Sequence, residues 1–158
     1  MLFGPWKRHD LPARMVRISD AAALAMHTMV LMAAEPGRAL ATGKAAARLN
    51  VSGAHLSKVL QRLAKAGLVS SVRGPRGGFV LAKSPKRITL LDVYETIEGP
   101  HTACGCLLDA PGCGAPRCIL GDLLAKVDAQ LVGYLSGARL SALAGIYAKE
   151  RGGEEENN

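Results

Sequence analysis

The four cysteines of the chain, Cys104, Cys106, Cys113 and Cys118, fall within fifteen residues as C-x-C-x6-C-x4-C. Thiolates grouped this closely can form disulfides, bind zinc, hold an iron–sulfur cluster or act as a metal-free redox switch. Structural disulfides fit a secreted protein, and nothing near Met1 combines an apolar core of signal-peptide length with a cleavage-like sequence. No apolar run approaches the roughly 18 to 20 residues that cross a bilayer. The expectation is a cytoplasmic protein with no membrane partner. A zinc site is an alternative, although the paired C-x2-C knuckles of a zinc finger are missing. The surrounding stretch is rich in Gly and Pro, so it can wrap a bulky inorganic core, which favours an iron–sulfur cluster of two or four irons. A thiol switch would use the same residues if one thiol had a lowered pKa.

The second chemical signal is charge. The chain carries a net charge of +7, and residues 36–91 hold eleven Lys or Arg and no Asp or Glu. From His101 onward there are five basic and seven acidic residues, so the positive field belongs to one segment. Such a segment either solvates a face or meets a polyanion, and its placement on a motif decides between them.

The elements that must position these groups are mostly helical, as expected for a chain dominated by alanine and leucine with few aromatic residues. Residues 1–14 show no sustained periodicity and read as a flexible extension. Residues 18–34 form a buried helix capped by Ser19 and stopped before Pro36-Gly37. Thr42 caps a short helix over 43–49, and Ser52 opens a second that ends at Ala66 with Gly67 beyond it, together a helix-turn-helix. On the second of these, Leu56, Val59, Leu60 and Leu63 share one stripe and face the core. The opposite stripe is Ala54, Lys58, Gln61 and Lys65, flanked by Ser57 and Arg62, side chains suited to phosphates and base edges.

Residues 68–73 alternate as a strand, residues 74–78 turn it and Phe79-Val80-Leu81 returns, a β-hairpin with a basic tip. Directly behind a helix-turn-helix this is the order of a winged helix. The charge then has a partner, double-stranded DNA. Expected contacts are Ser52, His55, Ser57, Lys58, Gln61 and Arg62 from the recognition helix, and Arg73, Gly74, Arg76, Gly77 and Gly78 from the wing. A helix over 90–98 follows a Thr89 cap. Beyond the cysteines, Leu120, Leu124, Val127, Leu131 and Tyr134 trace an a/d seam of about two heptads, read as a dimerisation helix. A last helical piece over 140–149 precedes a disordered tail, 151–158. The chain thus divides into an extension (1–14), a DNA-binding domain (15–99), a sensor loop (100–118) and a dimerisation region (119–150).

The stretches Leu56-Ser57-Lys58-Val59-Leu60, Ala66-Gly67-Leu68-Val69 through Gly77-Gly78-Phe79, and Ile88-Thr89-Leu90-Leu91-Asp92-Val93 make the chain similar to the IscR/NsrR superfamily of bacterial regulators. The resemblance spans about residues 17–147. It implies a homodimer with a winged helix at each end, binding to a promoter palindrome and, in many members, a cluster that senses nitric oxide, redox state or iron–sulfur status. It implies ligation by Cys106, Cys113 and Cys118, with Cys104 an extra; the gaps of six and four residues depart from the usual five and five. In such relatives a further ligand comes from the partner subunit's first helix, often an acidic residue with a histidine one turn later in some. Here Ala23 stands at the acidic position and His27 at the other, so Cys104 and His27 compete for the remaining place. No general base, nucleophile elbow or phosphate loop accompanies the cysteines, so an enzyme is not expected.

Overall fold

The computed structural model describes residues 18–103 and 114–148. They fall into two units, residues 18–100 with 132–148, and residues 101–103 with 114–131. Expectations for the two ends and for Cys104, Cys106 and Cys113 lie outside the described residues.

The larger unit is built on α1 (Asp20–Ala33), whose Leu side chains and most of whose Ala and Met side chains are buried. Ser19 starts it as expected, its hydroxyl accepting the Ala22 amide at 3.1 Å. Thr28 is fully buried and donates to the Leu24 carbonyl one turn back, which lets a hydroxyl sit in the core. Helix α4 (Leu90–Glu98) packs along α1 and buries Leu90, Val93, Tyr94 and Ile97. Its start is a capping box: Thr89 accepts from the Asp92 amide, and Asp92 returns the bond to the Thr89 amide at 2.7 Å.

The helix-turn-helix is α2 (Thr42–Leu49) and α3 (Gly53–Lys65). Asn50 closes α2 in the left-handed region at φ 52°, a position its short amide tolerates. Thr42 is the first residue of α2 and not its cap; the preceding Ala41 offers no side-chain bond. The entry is fixed instead by Leu40, which exchanges two backbone hydrogen bonds with Phe79, at 2.8 and 3.0 Å. That bridge extends the antiparallel hairpin of β1 (Val69–Val72) and β2 (Gly78–Leu81), in which Ser71 faces Phe79. Gly78 is required by the close approach: at φ 154°, a β-carbon there would meet the Leu40 oxygen at 2.3 Å.

Helix α5 (Leu123–Gly137) begins after a turn over 119–122 and runs from the smaller unit into the larger. In the larger unit Leu135 is buried. Beyond α5 the chain is stitched to the start of α4, Leu90 N–H donating to Ala138 O and Leu140 N–H to Ile88 O. The last helical piece is broken at Ala144, just before Gly145, into α6 (Leu140–Leu143) and α7 (Gly145–Ala148). Among the described residues the fold is mainly helical with one two-stranded wing.

Candidate nucleic-acid interface

Helix α3 presents two faces. Leu56, Val59, Leu60 and Leu63 are buried, as their spacing requires. Ser52, Ala54, His55, Lys58, Gln61 and Lys65 are exposed, and Ser57 is half-buried. Ser52 also serves as the N-cap, its hydroxyl accepting the His55 amide at 3.5 Å. Arg62 and Lys65 lie in the last turn, where positive charge complements the helix dipole. Arg62 is exposed as well, and its Nη2 donates to the carbonyl of Ile97 on α4.

In the wing, Arg73, Gly74 and Arg76 are exposed, while Gly77 and Gly78 are half-buried. Both latter glycines have an internal reason to lack a side chain. A β-carbon on Gly77 would meet the Val72 oxygen at 2.5 Å, and Gly78 faces Leu40 as described. The hairpin therefore carries its two arginines on a turn whose shape is fixed from within. No acidic residue occurs between Glu35 and Asp92, so neither the recognition helix nor the wing holds a charge that would repel phosphate.

Of the sensor residues, Cys118 is described: a half-buried free thiol shortly before α5. In the same unit His101 Nε2 lies 3.0 Å from Asp128 Oδ2 on α5, both side chains largely out of water at 15% and 12% exposure. The other oxygen, Asp128 Oδ1, is buried without a hydrogen-bond partner. This pair holds the start of the cysteine segment against the long helix. Among the described residues no three His, Cys, Asp or Glu side chains form a metal site.

His27 lies in the larger unit, at an open cleft of about 440 Å³ lined also by Ala23, Leu24, Arg48, Val51 and Tyr147. Its Nδ1 is 2.8 Å from the Tyr147 hydroxyl, with the two rings edge to face. Arg48 stacks its guanidinium 5.4 Å from the Tyr147 ring centre and donates to the Tyr147 carbonyl at 2.9 Å. Nothing in the sequence pattern announced this Arg48–Tyr147–His27 cluster, because its members stand 21 and 99 residues apart and meet only when α7 folds back.

Of the expected seam, Leu124 is buried, Leu120 and Leu131 are half-buried, and Val127 and Tyr134 are exposed. Leu123 and, just before the helix, Ile119 are exposed as well. None of the described helices is long and apolar enough to cross a membrane.

Comparison with known proteins places this architecture. BadM of Rhodopseudomonas palustris, described as an HTH-type transcriptional regulator, is 39% identical over 83 residues, 52% of this chain and 53% of that protein. The HTH-type transcriptional regulator IscR of Photorhabdus laumondii is 35% identical over 97 residues, 61% of this chain and 58% of that protein. These alignments thus span little more than half the length of either relative. Among solved structures, CymR (YrzC), the global cysteine regulator of B. subtilis, superposes with a TM-score of 0.71 at 26% identity, over 84% of this chain and 98% of that one. The T. potens IscR structure gives 0.64 at 25% identity, over 83% and 88%. These relatives and neighbours are transcriptional regulators, not enzymes. The model of the Rrf2 family, described as an iron-dependent transcriptional regulator, matches residues 18–145, and the chain belongs to that family of DNA-binding regulators.

Proposed function

We propose that the chain acts as a homodimer that binds a palindromic promoter site and changes its affinity with the state of the cysteine segment. The observation that carries the DNA contact is the joint exposure of Lys58 and Gln61 on α3 with Arg73 and Arg76 on the wing, in a stretch without acidic residues. Ser52, His55 and Ser57 lie toward the N-terminal end of α3, the end with which a recognition helix reaches base edges, and Lys58 and Gln61 would follow along the same duplex. The wing arginines suit the negative potential of a narrow groove. The homodimer is supported by the apolar exposure around α5, with Ile119 86% and Tyr134 62% exposed in the isolated chain. Two identical α3 helices brought to one duplex would read symmetric half-sites.

For the sensor, Cys106, Cys113 and Cys118 would hold an iron–sulfur cluster, with Cys104 or His27 in the remaining place, and such a cluster supplies a centre that reacts with oxidants and nitric oxide. The chain's own contribution is to hold that segment against α5 through His101 and Asp128. Tyr147 fixes the His27 ring by Nδ1, the partner that orients a ligating histidine. The grouping of four thiols and the family's iron-dependent description favour this reading. A metal-free thiol switch on the same cysteines is the second reading, favoured by the likeness to the global cysteine regulator. Anaerobic purification with iron and sulfide analysis separates them. A brown protein with sulfide-to-iron absorption bands supports the cluster; a colourless protein whose operator affinity follows thiol oxidation supports the switch.

A further inference from the structure

Helix α4 ends badly by its own means. Its last turn has no basic residue and ends on Glu98, and the terminal carbonyls carry the negative pole of the helix dipole. Arg62, reaching from α3, supplies what is missing: it brings a positive charge to that end and donates to the Ile97 carbonyl. The Glu98 carboxylate meanwhile accepts the Ser19 amide at 3.1 Å, so the start of α1 is fastened to the same turn. Ile97 is buried, and the next residue but one, Gly99, takes φ 93° and closes the helix through its amide bond to Glu95 O at 2.9 Å. The chain then passes directly into Pro100, His101 and the cysteines.

We propose that Arg62 is a positioning residue: it joins the recognition helix to the turn of α4 from which the cysteine segment departs, and it does not contact phosphate. The proposal deepens the function proposed above and rests on α3 being the DNA-reading helix. Lys58, Arg62 and Lys65 are all exposed, and of the three it is Arg62 whose guanidinium is bonded to α4. A change in how the cysteine segment is held alters the last turn of α4, and Arg62 carries that change to α3, where a small tilt alters operator affinity.

The test uses the full chain, wild type and Arg62→Gln, with a palindromic duplex selected by the wild type from random sequence. Operator affinity is measured across a salt series, metal-free and after reconstitution with ferrous iron and sulfide, and amide exchange is followed at Gly99. Arg62→Gln should leave the slope of log affinity against log salt unchanged, because no phosphate contact is lost. It should speed exchange of the Gly99 amide about tenfold, as the last turn of α4 frays. It should also bring the affinity ratio between the two states toward one. Arg62→Lys keeps the charge and should recover part of the protection. A slope shallower by about 0.9, the signature of one lost phosphate contact, overturns the proposal. Unaltered Gly99 exchange overturns it as well, and so does an unaltered ratio. If the wild type itself shows a ratio of one, the sensor reading fails, while slope and exchange still decide the role of Arg62. Arg76→Ala run beside it tests the wing separately.

Discussion

The recognition helix and the cysteine segment both carry a dense cluster of chemistry, yet they are organised in opposite ways. In α3 the functional side chains are displayed by a regular element whose other face is locked in the core, so each position's role follows from its place in the 3.6-residue period. The cysteine spacing follows no such period. What the structure shows is the approach to their segment from the N-terminal side, where Arg62 reaches the last turn of α4 and His101 then meets Asp128. A surface written on a periodic scaffold is robust to the loss of any one side chain.

Removing the scaffold beneath α3 should give the largest effect. Leu63→Ala or Leu60→Ala empties a fully buried position, costing about 2–5 kcal/mol, and should lower the thermal midpoint and abolish operator binding together. A denaturation curve close to wild type would show that α3 does not depend on this core. Next comes Gly78→Val, which drives a β-carbon into the Leu40 backbone and must open the Leu40–Phe79 bridge. It should cost about 1–3 kcal/mol and weaken DNA binding by misplacing the wing, with the core of α1 and α4 retained. Resonances around Leu40 and Phe79 that stay in place would count against the close approach.

The wing arginines should act more mildly. Arg76→Ala should lower affinity with little change in stability and reduce the salt slope by about 0.9, the value for one phosphate contact. On the other side of the comparison, Cys118→Ser should change stability by less than about 1 kcal/mol and leave the affinity of the metal-free protein intact, while abolishing its response to iron and sulfide. If the response survives, Cys118 is not a ligand. The smallest effect expected is that of Tyr147→Phe. It keeps the ring over Arg48 and removes one hydroxyl bond to His27, a loss of about 0.5–1.5 kcal/mol in α7 docking, measurable as faster local exchange.

The buried stripe of α3, the Ser19, Ser52 and Thr89 caps and the hairpin behind the helix-turn-helix were all legible in the sequence, because each follows from short-range spacing. Local patterning misled at Thr42, where the entry to α2 is fixed by a backbone bridge between Leu40 and Phe79, 39 residues apart. It was also too coarse for the last helical piece, which breaks beside Gly145 so that Tyr147 can meet His27 and Arg48. The cysteine grouping announced chemistry but not which, since spacing limits what thiolates can reach without fixing where they point.

The sequence by itself therefore determined that the chain reads DNA with a winged helix and that it concentrates its thiols in one segment. Periodicity, caps and charge act over a few residues, and they suffice for that. Only the tertiary structure decided that Arg62 bonds to α4 and that Gly78 makes room for Leu40. It alone joined His27 to Tyr147 and Arg48, and His101 to Asp128. Each of these is a contact between residues far apart in the chain, formed because a helix end, a tight backbone approach or a half-buried polar group must find its partner once the core has closed.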